Sequence, residues 1–383
     1  MKRTYKYRLY PTKQQEAVLT QWLTTCRILY NNSLAERREV WKDTKRAVTY
    51  FEQADKLKTA KKINSHLKKI HSQVLQDVLR RLDKTFKSFF RRIKTGEKAG
   101  YPRFKGRNRY DSFTYPQSGF ALKKKKLLLS RIGKLNIRIH RPIPSEGIVK
   151  TCTIRRDVDH WYACFSVELP EAKPFTPDLP QEEKQIGVDV GLKNLLALSS
   201  GEIVENPCWF RRTEKMLAKE QRNFSRKEKG SNNREKQRIK VARLHRRVRN
   251  QRKDFHHKIS RRLVNAYDLI VFENLMITNM VKNQHLSKSI ADAGWGQLIR
   301  FTQYKAEEAG MRVECVNPRG TSQVCSGCGI AVTKTLGVRI HECPCCELRL
   351  DRDVNAAINI LKRSPSGQEL PAGPVRHIPL GNG

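Results

Sequence analysis

The chain has 383 residues, enough for two or three domains with a buried core. Its 77 Lys and Arg against 37 Asp and Glu give a formal net charge of +40, and self-repulsion of that size calls for a polyanionic partner. Nucleic acid answers this directly, because each phosphate contact releases counterions, whereas the longest apolar runs (127–129 and 269–272) exclude a bilayer-spanning helix.

The N-terminus lacks the apolar stretch of a signal peptide, so the chain is expected to stay in the cytoplasm. Its ten cysteines then read as ligands or packed thiols rather than disulfides. Residues 4–10 alternate and are rich in aromatics, which predicts a strand closed by Pro11. Thr12 is an N-cap candidate, Gln15 is placed to complete a capping box, and a helical pattern runs on to about residue 95. Within it Val74, Leu75, Val78, Leu79, Leu82, Phe86, Phe89 and Phe90 recur at three- and four-residue spacings, an apolar face read as core. Lys84, Lys87, Arg91, Arg92 and Lys94 fall on the other faces, open to phosphates. Residues 100–106 break the helix. Short alternating runs at 112–115, 127–130, 135–139, 152–155 and 161–168 predict a small β-barrel. The first strand can join that barrel, which makes the helical block an insertion. Residues 170–183, proline-rich and acidic, read as a linker.

A new pattern starts at Ile186. Gly187-Val188-Asp189-Val190-Gly191 is a buried type of strand, and residues 195–204 read as a hairpin. A strongly basic helical region spans 211–262, with a break near residues 230–232. Too few acids stand among its bases for i,i+4 pairing to account for the pattern, so backbone binding of RNA or an RNA–DNA duplex explains it better than a solvated face. His245, His256 and His257 read there as phosphate-facing or packed. Apolar strands follow at 267–273 and 311–316, and a helix at 353–361. The residues after about 364 are poor in large apolar groups and predict a disordered tail.

Three acids stand out. Asp189 sits inside an apolar strand, where a charge is expensive unless something compensates it. Glu273 closes a second apolar strand, and Asp353 opens a helix. Hard oxygen ligands of this kind suit Mg²⁺ or Mn²⁺, and two such ions can drive phosphodiester hydrolysis. Each acid also has an ordinary reading. Asp353 can simply favour the helix dipole with Asp351 as cap, and Glu273 can be a strand end facing solvent. Taken together, the order strand-Asp, strand-Glu, helix-Asp matches an RNase H-like core.

Cys325-x-x-Cys328 and Cys343-x-x-Cys346 flank 14 residues, the spacing of a four-thiolate structural Zn²⁺ site, with Gly327 and Gly329 permitting a tight knuckle. The x-x spacing leaves Cys345 as a spare thiol. Cys26, Cys152, Cys164, Cys208 and Cys315 lack partners in spacing and are expected to be buried small residues.

These residues resemble the TnpB family, the transposon-encoded RNA-guided nucleases related to type V CRISPR effectors. The likeness runs through Tyr7-Arg8-Leu9-Tyr10-Pro11, Tyr101-Pro102-Arg103-Phe104-Lys105, Gly187-Val188-Asp189-Val190-Gly191 and Glu273-Asn274-Leu275. It continues in Asp292-Ala293-Gly294-Trp295-Gly296, Asn317-Pro318-Arg319-Gly320-Thr321-Ser322-Gln323, the cysteine knuckles and Asp351-Arg352-Asp353-Val354-Asn355-Ala356-Ala357. One departure is Glu347, where the family usually has Gly after the last cysteine.

The resemblance implies an α+β multidomain chain. A wedge-like β-barrel takes 1–10 and 100–175, a helical recognition domain 11–99, a linker 176–182 and a tail 363–383. A RuvC-like, RNase H-like nuclease takes 183–362, with basic helices at 211–262 and a zinc ribbon at 318–350. It implies Asp189, Glu273 and Asp353 as catalytic ligands of two Mg²⁺ (or Mn²⁺), and one structural Zn²⁺ on Cys325, Cys328, Cys343 and Cys346. It further implies a guide RNA derived from the element's own end, target double-stranded DNA beside a short adjacent motif, a monomer with RNA, and a prokaryotic, nucleoid-associated setting. Tyr50 and Gln76 are candidates for reading that motif. Candidate nucleic-acid contacts are Arg103, Lys105, Arg211, Arg212, Arg243, Arg246 and Arg247. A nucleic-acid-binding regulator that does not cut, and a strand-joining transposase, are the competing functions; loss of an acidic position would favour the first, and none is lost.

Overall fold

The structure, a computed structural model, describes residues 2–170, 184–335 and 337–365. The linker expected at 176–182 and the tail from 366 lie outside the described residues. The chain divides into two compact units, Met1–Glu171 and Ala172–Gly383.

The first unit opens with β1 (Lys2–Tyr10), whose Tyr5, Tyr7 and Leu9 point into the core on alternate positions. Four helices follow: α1 (Lys13–Thr44), α2 (Tyr50–Ile63), α3 (Ser65–Lys68) and α4 (Ser72–Lys94). Thr12 and Gln15 form the expected capping box at the start of α1, and Thr49 and Glu52 repeat it on α2. Val74, Leu75, Val78, Leu79 and Leu82 of α4 are all buried, within one core that includes Leu19, Trp22, Cys26, Tyr30 and Leu34 of α1. Removing each from water stabilises by roughly 1.5–3 kcal/mol, an upper estimate. That apolar stripe outruns its partners: Phe89 is half-buried and Phe90 is 60% exposed, where the periodicity predicted core.

Six strands follow: β2 (Ser112–Tyr115), β3 (Phe120–Lys123), β4 (Lys126–Leu129), β5 (Gly133–Arg138), β6 (Ile148–Asp157) and β7 (His160–Glu168). With β1 they form one antiparallel sheet in the order β2-β6-β7-β1-β5-β4-β3, so the first strand lies at its centre. Among the described residues the edge strands β2 and β3 do not pair with each other; the rings of Tyr115 and Phe120 meet there instead, 6.5 Å apart. β3 escapes sequence reading because its residues show no buried–exposed alternation; the hairpin to β4 recruits it. The rings of Trp22 and Phe113 touch at 5.4 Å, joining helices and sheet in a single core.

The second unit holds a five-stranded sheet ordered β10-β9-β8-β11-β12, from β8 (Gln185–Val190), β9 (Asn194–Leu198), β10 (Ile203–Glu205), β11 (Leu269–Glu273) and β12 (Arg312–Val316). β8, β11 and β12 run parallel, and the hairpin β8-β9-β10 is antiparallel. Between β10 and β11 lie α5 (Trp209–Ser225) and α6 (Asn232–Ala266), the latter N-capped by Ser231. α6 buries His256, Ile259, Ser260, Leu263 and Val264 near its end but only Gln237 and Val248 earlier, so its basic first half stays open. Short helices α7 (Ile277–Met280) and α8 (Ser287–Ala293) lead to α9 (Trp295–Ala309). The hairpin β13 (Ile340–Glu342) and β14 (Arg349–Asp351) precedes α10 (Arg352–Lys362). Cys26 and Cys152 are buried as expected and Cys164 and Cys208 half-buried, but Cys315 is exposed, because it stands on the edge strand β12. Among the described residues no helix is long and apolar enough to cross a membrane.

Candidate active site

In the parallel pair β8 and β11, Val188 stands opposite Phe272. Asp189 and Glu273 come one residue later on each strand, so the pleat aims both side chains at the same face of the sheet. Gly187, two residues before Asp189, shares that face, and α10 presses on it. A Cβ there would collide with the carbonyl of Ala357 and come within 2.9 Å of Leu361. Asp353, Ala357 and Leu361 follow one another at four-residue intervals on α10, so the close approach at Gly187 carries Asp353 over the ends of the strands. Asp353 Oδ2 lies 4.0 Å from the Cβ position of Gly191, the residue after β8.

The electrostatics match that convergence. The Asp189 carboxyl is held well above the usual carboxylate range, first by burial and then by the negative charges of Glu273 and Asp353. Arg352 and the Val190 amide pull the other way. The residue as a whole is half-buried, but its carboxyl sits deep among protein atoms. Glu273 is only 8% exposed, which rules out the solvent-facing strand end. Burial raises its pKa, against the hydroxyl of Thr321 and the charge of Arg363. Asp351 takes the capping role on α10, accepting from the amides of Asp353 (2.8 Å) and Val354 (3.3 Å). Asp353 itself pairs with Arg352 at 3.2 Å and Arg339 at 3.8 Å.

Several residues fix this arrangement, and sequence reading named none of them as site residues. Thr321 donates its hydroxyl to Glu273 Oε1. Asn359 donates Nδ2 to the carbonyls of Thr321 (2.8 Å) and Val324 (2.7 Å), and Asn355 donates to Val324 (2.8 Å) while accepting from the Ser326 amide (2.9 Å). One face of α10 therefore holds the 321–326 loop, and that loop holds Glu273. The signal was present: two asparagines four apart inside an otherwise apolar helix are costly unless they bond. Trp295 donates Nε1 to the Gly191 carbonyl at 3.1 Å, anchoring the turn after Asp189. Asp292 accepts from the Phe210 amide with both oxygens at 3.0 Å, tying α8 to the first turn of α5.

The four predicted cysteines do converge. Among the described residues they are the one group of three or more His, Cys, Asp or Glu whose ligand atoms all lie within 4.8 Å of one another. The three carboxylates do not gather so tightly. Cys325 and Cys346 Sγ are 3.6 Å apart and Cys328 and Cys343 Sγ 3.5 Å, near the roughly 3.8 Å edge of a tetrahedron with Zn–S bonds of about 2.3 Å. Each knuckle repeats one backbone pattern. Cys325 N donates to Ile330 O and Gly329 N to Cys325 O; Cys343 N donates to Leu348 O and Glu347 N to Cys343 O. The Cys346 amide, donating to the Cys343 sulfur, leads in lowering that thiol, while the thiols of Cys325, Cys328 and Cys346 are raised, so Cys343 gives up its proton first in the cluster. Gly329 has φ +81°, and Glu347, its counterpart in the second knuckle, is forced to φ +56° with a side chain. Cys345 is exposed and stays outside the cluster.

A relative from Streptomyces pristinaespiralis, named "Putative RNA-guided DNA endonuclease", is 37% identical over 368 residues, covering 94% of this chain and 89% of that protein. The chain belongs to the TnpB family. A second relative, "Putative RNA-guided DNA endonuclease InsQ" of Escherichia coli K12, is 33% identical over 93% of this TnpB chain and 91% of that protein. The OrfB (IS605) family model, described as "Probable transposase", matches residues 164–284, and a Cas12f1-like TNB domain model matches 295–360, which contains the four cysteines. A third model, described as a helix-turn-helix domain, matches 1–46, but there the TnpB chain forms a strand and one unbroken helix. In fold, the chain resembles the protein of a Cas12f1-sgRNA-target DNA complex, with TM-score 0.57, 15% identity and coverage of 96% of this chain and 99% of that one.

The remaining candidates of this TnpB chain are scattered. Tyr50 starts α2 and accepts from Arg80 Nε at 3.2 Å, and Gln76 is half-buried on α4. Arg103 is exposed, while the Lys105 backbone is bound to the side chain of Asn31. Arg211, Arg212, Arg243 and Arg247 are exposed on α5 and α6, and Arg246 is half-buried. His256 is packed, with burial lowering its pKa to about 4; His257 stacks on Phe301, and His245 is exposed.

Proposed function

We propose that this chain is an RNA-guided, divalent-metal-dependent endonuclease that cleaves double-stranded DNA beside a short adjacent motif, with a guide RNA derived from the transposon end. The observation that carries it is the Asp189 carboxyl, pushed up by burial and by the charges of Glu273 and Asp353 at the ends of two parallel strands. Like charges buried together cost free energy that a cation offsets, and hard oxygen donors suit Mg²⁺ or Mn²⁺. The strand order, with β9 antiparallel to its neighbours and α10 packed on β8, supports an RNase H-like (RuvC) reading of this unit. The relatives' printed names support the activity.

Asp189, Glu273 and Asp353 would hold the ions. Ions bound there would supply an activated water and charge neutralisation at the leaving 3′ oxygen. Thr321 orients Glu273, Trp295 steadies the turn after Asp189, and α10 carries Asp353 against the sheet. Cys325, Cys328, Cys343 and Cys346 would hold a structural Zn²⁺, with no position left open for chemistry. Bound there it would pin the loop that positions Glu273. The exposed bases of α5 and α6, with Arg103 and Lys105, would grip nucleic-acid backbone, while Tyr50 and Gln76 would read the adjacent motif. The sheet of the first unit fits a wedge, and α1–α4 a recognition domain inserted in it.

The test has two steps: sequence the RNA that co-purifies with the chain, then offer that complex a target with randomised flanks. The expected result is one discrete RNA, one preferred flank and cleavage that Asp189→Ala abolishes without loss of RNA. Unchanged cutting by Asp189→Ala would overturn the site. Joined rather than cut products would favour the transposase.

A further inference from the structure

We propose that the outer face of α1, with the segment at 101–104, is a stacking platform for an unstacked base of single-stranded RNA. It rests on the nucleic-acid-binding part of the function above and not on cleavage.

α1 has two faces. Arg37 points inward, 8% exposed, donating Nε to Gln53 Oε1 at 2.9 Å and pairing with Asp83 at 3.4 Å. The next residue begins an exposed stripe beside it, where Arg38, Trp41 and Lys42 are neighbours at helical spacing. Trp41 is 54% exposed, whereas Trp22, Trp161 and Trp295 are nearly sealed in the protein. Asn31 brings the 101–104 segment against this stripe. Its Oδ1 accepts from the Lys105 amide at 2.8 Å and its Nδ2 donates to the Lys105 carbonyl at 3.0 Å. Tyr101 and Phe104, 44% and 46% exposed, then flank the Arg38 guanidinium, which lies 5.8 and 5.3 Å from their ring centres. These residues, with Ala35, Glu39 and Lys42, line a groove of about 530 Å³.

Tyr101 packs one side on Phe86 and Phe89, at 5.7 and 5.3 Å between ring centres, yet it, Phe104 and Trp41 keep open ring surface beside Arg38 and Lys42. Open aromatic rings interleaved with Arg and Lys are what stacks a base and holds its flanking phosphates, and the net charge of +40 favours a polyanion over a protein partner. Glu39 selects between nucleic acids. A carboxylate in a basic groove repels phosphate but accepts a hydrogen bond from a ribose 2′-hydroxyl, which DNA lacks.

The test titrates the full chain with a single-stranded oligoribonucleotide, the DNA of the same sequence, a matched RNA duplex and heparin. Tryptophan emission reports the platform, with Trp41→Phe separating Trp41 from the half-buried Trp209 that starts α5, and anisotropy of labelled probes reports binding anywhere. The single-stranded RNA is expected to quench emission, while duplex and heparin bind without that quench and DNA quenches more weakly. Trp41→Phe should remove the quench and keep affinity. Trp41→Ala should weaken RNA binding by about 5- to 150-fold, with the salt dependence unchanged because no phosphate contact is lost. Binding without a quench in the wild type, an equal quench with heparin, or full affinity in Trp41→Ala would overturn the platform and leave nucleic-acid binding intact. An equal quench with DNA would overturn the assignment to RNA. No binding of any nucleic acid would sink the underlying function as well.

Discussion

Replacing Asp189 with Asn removes one negative charge from the pocket while keeping the side chain's shape. In the wild type the folded-state pKa of Asp189 is raised, so its protonated form is the one folding favours. The linkage sign follows: the stability it contributes is present below the unfolded carboxylate pKa and is lost as pH rises through the folded value. Asn cannot titrate. Without divalent ions, the stability of wild type relative to Asp189→Asn should therefore fall as pH rises from the acid range towards neutrality. Titrations of groups outside the pocket are common to both proteins and cancel, so the difference reads the coupled carboxylates around Asp189. Mg²⁺ should reverse the trend in the wild type alone. At a hundred times its dissociation constant a ligand of the folded state stabilises by about 2.7 kcal/mol. At roughly 2–4 °C per kcal/mol for a unit of this size, the melting temperature should rise by about 5–11 °C at neutral pH. Thermal unfolding across pH, with and without Mg²⁺, measures both effects, and cleavage of a guided target should drop on the order of a thousandfold as several kcal/mol of metal-borne stabilisation disappear. If Asp189→Asn gained as much from Mg²⁺ as the wild type, or the stability difference stayed flat with pH, the reasoning would be wrong.

Gly187→Ala should cost about 1–3 kcal/mol, because its Cβ meets the backbone of α10, and should cut activity by displacing Asp353; denaturant melts and cleavage rates check it. Thr321→Val leaves Glu273 without its hydroxyl partner, so half-maximal cleavage should need about 10- to 100-fold more Mg²⁺, with Thr321→Ser restoring the wild-type requirement. Glu347→Gly should relieve a left-handed backbone that costs a residue with a side chain about 1–2 kcal/mol, and slow the loss of zinc to a chelator. Zinc removal itself should loosen the 321–326 loop and depress cleavage even at saturating Mg²⁺, a loss that returned zinc repairs; full activity in zinc-free protein would contradict the scaffold role.

Some of this molecule is written locally. The cysteine pairs announce a metal site because two x-x spacings leave the thiolates few other arrangements, and the structure brings all four together. The capping box at Thr12 depends on residues three apart, and Asp189 is conspicuous because a charge among valines has no inexpensive explanation. The charge of +40 names the kind of partner before any fold is known. Other features belong to the tertiary structure, because they depend on partners distant in sequence. Whether Glu273 faced solvent or pocket was decided by Thr321, 48 residues away, and by burial of the whole of β11. That Gly187 is the strand position on which α10 presses depends on residues some 170 positions on. Phe90 fits an apolar stripe as well as Leu82 does, yet only packing shows where that stripe runs out of partners. Periodicity reports which face of an element is apolar, but what covers that face is fixed by contacts between segments that local sequence does not encode.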